Sequence, residues 1–163
     1  MKKILAVVLT AAMVMGTTTA VFADTTLEGN SGTTDVTYET QESYTVTIPA
    51  DIKLANEDYS GTGKVEVTNA LLAASSTLKI TVASANDYKL KLGSSEIAYT
   101  LTGDDLITEE NNEVLSVSSG VKVTDVNSQE LDFESSEEAV KAATLAGEHK
   151  DTLTFAVSLT RAQ

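Results

Sequence analysis

Leu153-Thr154-Phe155-Ala156-Val157-Ser158-Leu159 places an apolar side chain at every second position. A period of two sends successive side chains to opposite faces of a strand, so one face is greasy and the other small or polar. Residues 78–82, Leu-Lys-Ile-Thr-Val, repeat the pattern with a lysine on the outer face. Working outward, the same alternation recurs at Tyr44/Val46/Ile48, Val65/Val67, Tyr88/Leu90/Leu92, Ile97/Tyr99/Leu101, Leu115/Val117, Val121/Val123 and Leu131/Phe133. These segments are rich in Val, Thr, Ile and Tyr, the residues that suit a pleated, half-buried surface.

Short polar breaks separate them: Asn56–Gly63, Ser84–Asp87, Gly93–Ser95, Gly103–Asp105 and Ser118–Gly120. Strands of about five residues spaced roughly ten apart indicate an antiparallel sandwich or barrel. Half-polar strands argue against a parallel sheet, which is covered on both faces. The expected fold is therefore all-β, an antiparallel sandwich of about 7–9 strands. One segment departs from the pattern. Ser135-Ser136-Glu137-Glu138-Ala139-Val140-Lys141-Ala142-Ala143 offers a capping serine, acids in the first turn and then alanines, which predicts a short helix before the last strand. Asn69–Ser75 (NALLAAS) reads equally as a helical turn or a broad loop.

The chain has 163 residues, and a length of that order normally makes one domain. Residues 1–23 read as a signal peptide. Lys2 and Lys3 precede an apolar run from Ile4 to Met15, and Val21-Phe22-Ala23 ends the segment in a form a signal peptidase accepts, with cleavage before Asp24. The run is too short to span a bilayer. Asp24–Asp35 (DTTLEGNSGTTD) is polar, aperiodic and Gly/Thr-rich, and reads as a flexible N-terminal arm. Residues 36–163 are expected to form the sandwich domain. The C-terminal residues carry no cell-wall sorting motif with a hydrophobic tail.

Composition excludes several function classes. With no Cys and one His, no zinc cluster, thiol nucleophile, haem attachment or lipidated cysteine is possible. The formal net charge of −13 disfavours nucleic acid, whose phosphates demand a basic patch. The lysines Lys64, Lys79, Lys89, Lys91 and Lys122 take outward strand positions, where they discourage stray edge pairing. The acids gather elsewhere. Asp104, Asp105, Glu109, Glu110 and Glu113 form one stretch, and Asp125, Glu130, Asp132, Glu134, Glu137 and Glu138 another. Solvation accounts for both. Calcium capture is the sharper alternative, although neither stretch has the acid spacing and glycine of an EF-hand loop.

Catalytic chemistry finds no home in this sequence. His149, the single imidazole, sits in Gly147-Glu148-His149-Lys150-Asp151 and reads as a surface-loop histidine. No Gly-x-Ser-x-Gly elbow is present. Carboxylate pairs for glycoside hydrolysis can be imagined anywhere among 24 acids, so their abundance says nothing. Tyr44, Tyr88 and Tyr99 are in phase with the core. Only Tyr38 and Tyr59 are free to make a sugar platform, and there is no Trp to help them. Gly61-Thr62-Gly63 lacks the strand–helix setting of a phosphate site and reads as a hairpin turn. No catalytic, cofactor or metal residue is assigned, and no cofactor is expected.

Tyr44-Thr45-Val46-Thr47-Ile48-Pro49-Ala50, followed by Ile52-Lys53-Leu54, resembles the opening of small secreted β-sandwich proteins of Gram-positive, clostridia-like bacteria. Ala146–Ser158 resembles the closing strand of the same group, a pattern shared with WxL-type surface proteins and with pilin-like, spore-coat-U-like domains. His149 stands where such relatives often carry an aromatic. The resemblance implies an immunoglobulin-like sandwich at the cell surface, and it brings no catalytic residues. Without Trp, the WxL motif is absent and peptidoglycan binding by that route is not implied.

The expectation is thus a secreted, non-catalytic cell-surface or matrix protein whose partners are other surface proteins or itself. One alternative is a filament subunit, with Asp24–Asp35 and the alternating Val36-Thr37-Tyr38 inserting as a strand into a neighbour's open edge. Another is a glycan-binding adhesin module.

Overall fold

In a computed structural model the described residues are 36–55 and 57–161, so the leader 1–23 and the arm 24–35 lie outside them. Along the chain come β1 (Ser43–Thr47), β2 (Ser60–Leu71), β3 (Ser76–Ser84), β4 (Lys89–Leu92), β5 (Ser95–Thr102), β6 (Leu106–Ile107), β7 (Glu113–Ser118), β8 (Asn127–Ser135), α1 (Glu137–Lys141) and β9 (Leu153–Arg161). Strands β1-β2-β8-β5-β4 form one sheet in that order, with β6 paired to β5. Strands β7-β3-β9 form the other. Every pairing is antiparallel. The architecture is the expected all-β sandwich, with one short helix among the described residues, placed before the last strand.

The predicted alternation fills the space between the sheets. Val46, Val65, Val67, Leu101, Leu131 and Phe133 come from the larger sheet, and Leu78, Ile80, Val82 and Val117 from the smaller; all are buried. Full burial of a Val, Leu or Ile side chain contributes about 1.5–3 kcal/mol each. Ser136 caps the helix as the sequence indicates. Its side chain accepts from the Ala139 N–H at 3.1 Å, and Glu137 and Glu138 occupy the first turn.

Several segments depart from the sequence reading. Val121 and Val123 form no strand. The Lys122 N–H donates to Asp125 Oδ2 and the Asp125 N–H to the Lys122 carbonyl, both at 2.9 Å, closing a turn there. Asn69–Leu71 belongs to β2. Asn69 adopts φ 54°, a left-handed conformation asparagine tolerates, and its carbonyl accepts from Ser43 Oγ at 3.1 Å. A register shift between Ser43 and Thr45 lies opposite it, and it brings Ala70 rather than Asn69 inward. A second shift, opposite Ile80/Thr81, lets Val114 as well as Val117 reach the core.

Gly61 and Gly63 are not a turn either. They lie inside β2, opposite Phe133 and Leu131 of β8. Residues 49–54 cross over them so closely that a Cβ on Gly63 would stand 2.7 Å from Ile52 Cδ1 and 2.9 Å from Pro49 Cγ. The glycines therefore admit a covering segment, which is one of the established uses of glycine within a strand.

Candidate functional site

The free edge of the smaller sheet is where the packing is incomplete. β9 pairs with β3 in the register Leu78–Leu159, Ile80–Val157 and Val82–Phe155. Directly opposed residues share a face, so these six side chains all point between the sheets. Leu78, Ile80 and Val82 are sealed, at 0%, 0% and 1% exposure. Across the strand pair, Val157 is 41% exposed, while Leu153, Phe155 and Leu159 are only partly buried against the core. The larger sheet covers β3 fully and β9 only in part, with Val157 left the most open.

Beside Leu153 and Phe155 lies an open cleft of about 1200 Å³. Ile48, Pro49, Ile52 and Leu54 form one wall, and residues 143–152 the other. Leu90, Ile97, Tyr99 and Phe133 are among its apolar lining. The two sheets are joined near the far end of β9, where the Arg161 guanidinium pairs with the Glu42 carboxylate just ahead of β1. That ion pair, helped by the Ala73 N–H, holds the Glu42 carboxyl below its ordinary value.

The wall 143–152 is fixed at three places. Lys91 and Lys150 exchange backbone hydrogen bonds at 2.8 and 3.0 Å, which fastens the segment to β4. Asp151 accepts from Ser84 Oγ at 2.6 Å, Tyr99 Oη at 2.7 Å and Asn86 Nδ2 at 3.1 Å. Burial, followed by the hydrogen bond to Asp151, pushes the Tyr99 phenol well above its ordinary range. Ser95 Oγ, in a residue only 1% exposed, accepts from the Thr144 and Leu145 N–H groups at 3.0 and 3.3 Å and meets His149 Nε2 at 2.8 Å. Gly147 passes so near β4 that a Cβ would sit 2.8 Å from Leu92 Cδ2, at φ +147°.

His149 lies in a loop, as the sequence indicates, but it is half-buried and a buried hydroxyl 54 positions earlier binds its ring. Ser95 gave no signal in the sequence beyond its place in a polar break. Tyr38 is 91% exposed, whereas Tyr59 is partly buried and lines the cleft. Its carbonyl accepts from the Ser135 N–H at 3.0 Å. The acidic stretches are spread out. Glu113 pairs with Lys79 at 2.6 Å, Asp125 closes its turn, and Glu130, Asp132 and Glu134 alternate along the exposed face of β8. Among the described residues, no three carboxylate or imidazole side chains converge as a cation site. Among the same residues, no helix is long and apolar enough to cross a membrane.

No family model matches the chain, and no curated protein does. Among solved structures it is similar to the P pilus rod subunit PapA, at 16% identity and a TM-score of 0.41 over 63% of this chain and 82% of that one.

Proposed function

We propose that the protein is exported, with cleavage before Asp24, and acts at the cell surface without catalysis by joining to other protein chains. The joint is strand addition. An extended segment of a second copy lies along the free edge of β9 and covers its greasy face. The carrying observation is the contrast between Ile80, fully buried, and its partner Val157, 41% exposed on the same face. An added strand brings both a row of backbone hydrogen bonds and alternate side chains for the cleft. A donor is at hand in the N-terminal segment. Val36 and Tyr38 alternate ahead of β1 and are 94% and 91% exposed. Self-association through this segment makes the protein a filament-type or matrix subunit.

Size-exclusion chromatography of the exported chain, with and without residues 24–40, tests this. The reading expects multimers that disappear on removal of the segment. A monomer in both cases ends it.

A further inference from the structure

We propose that the contact between His149 and Ser95 is an acid-sensitive latch on one wall of the cleft. Two separate contacts fix the tautomer of the His149 ring. A carbonyl oxygen only accepts, so the 3.2 Å contact between His149 Nδ1 and the Gly147 carbonyl places a proton on Nδ1. A hydroxyl has two lone pairs and one proton. The Ser95 lone pairs are taken by the Thr144 and Leu145 N–H groups, so its proton goes to His149 Nε2. Both contacts give the same neutral tautomer, with Nε2 as the acceptor.

A second ring proton breaks this arrangement. Nε2–H then becomes a third donor aimed at a buried oxygen that already serves two, and the Ser95 proton loses its acceptor. A buried donor without a partner is costly. Imidazole is the side chain whose charge ordinarily changes between about pH 5 and about pH 8. Acid therefore turns the bond that ties residues 144–149 to β5 into a repulsive contact. The consequence for assembly, loss of one wall of the cleft, rests on the strand-addition reading; the latch itself does not.

The charged groups nearby do not supply a substitute acceptor at either ring nitrogen. Glu148 and Lys150 flank the ring and pair with each other at 3.3 Å. On β4 and β5, Lys89 and Lys91 both engage Glu96, and on α1 Glu137 pairs with Lys141. Asp151 is occupied by Ser84, Tyr99 and Asn86, and Asp51 and Lys53 belong to the opposite wall.

Nuclear magnetic resonance on the exported chain tests the latch. At about pH 7.5 the ring nitrogens are expected to report the Nδ1–H tautomer, with the Thr144 and Leu145 amides protected from exchange. On moving to about pH 5, protection of those two amides, corrected for intrinsic rates, falls roughly tenfold. In His149→Gln, whose amide oxygen accepts at either pH, it does not. An Nε2–H tautomer at neutral pH, or unchanged wild-type protection in acid, overturns the proposal, as does an equal fall in H149Q. The wild-type series decides alone if H149Q fails to fold. Failure of the chain to self-associate bears on the assembly reading and leaves these signals as they are.

Discussion

Tyr99 Oη donates to Asp151 Oδ2 at 2.7 Å and thereby ties β5 of the larger sheet to the chain that enters β9 of the smaller. Ser84 Oγ shares that carboxylate oxygen and also accepts from the Asn86 and Tyr88 N–H groups at 3.0 and 2.8 Å. The cluster holds Asp87 and Tyr88 at φ 54° and 56°, backbone conformations that side chains other than glycine adopt only when the surroundings hold them.

Tyr99→Phe keeps the ring contacts with Tyr88 and Phe133 and removes only the donor. The expected loss in urea unfolding is about 1–2 kcal/mol. Because the folded-state phenol lies above its ordinary value of 10.0, its contribution is complete below that pH and declines as the solution becomes more alkaline. Y99F should therefore show a shallower fall in stability above pH 10 than the parent.

Gly63→Val forces Pro49 and Ile52 away from β2. Overpacking of this kind costs about 1–3 kcal/mol. A lowered thermal midpoint is expected, together with faster proteolysis within residues 49–54. An unchanged midpoint contradicts the close crossing.

Val157→Glu separates folding from assembly. Val157 is 41% exposed, so the folded monomer should change by less than about 1 kcal/mol. Ile80→Ala, at the directly opposed and sealed position, should cost about 2–5 kcal/mol. By size exclusion, V157E should remain folded and lose the multimers that the exported chain forms.

The pairing of Glu42 with Arg161 gives an acid dependence of the opposite sign to that of Tyr99. With its carboxyl held below the ordinary 4.5, Glu42 contributes stability above that pH and loses it as the pH falls further. Arg161 is exposed and Glu42 only partly buried, so the effect is under about 1 kcal/mol and fades in salt. Glu42→Gln should flatten the stability profile below pH 4.5, and the difference from the parent should shrink at high ionic strength.

Much of the fold was legible one segment at a time. Leu78/Ile80/Val82, Leu131/Phe133 and the Ser136-capped helix were readable because periodicity and capping are properties of neighbouring residues. Gly61-Thr62-Gly63 misled because glycine marks a turn and a close crossing alike, and only the position of Pro49 and Ile52 separates the two. Val121-Lys122-Val123 misled because a three-residue alternation is shorter than the turn that Asp125 imposes on it. The site was less legible still. Val157 has the same apolar character as Ile80, and nothing in residues 153–159 tells that its face is left open.

The sequence by itself determined the in-and-out alternation along most strands, where the helix starts and that cysteine chemistry has no residue to carry it. Those properties depend on residue type and on spacings of two to four residues. Only the tertiary structure decided that β9 stands at an edge, that Asp151 receives Tyr99 from 52 positions earlier and that Ser95 engages His149 across 54. The order of strands in the sheets brings these residues together, and alternating side chains fix the faces of a strand without naming its neighbours.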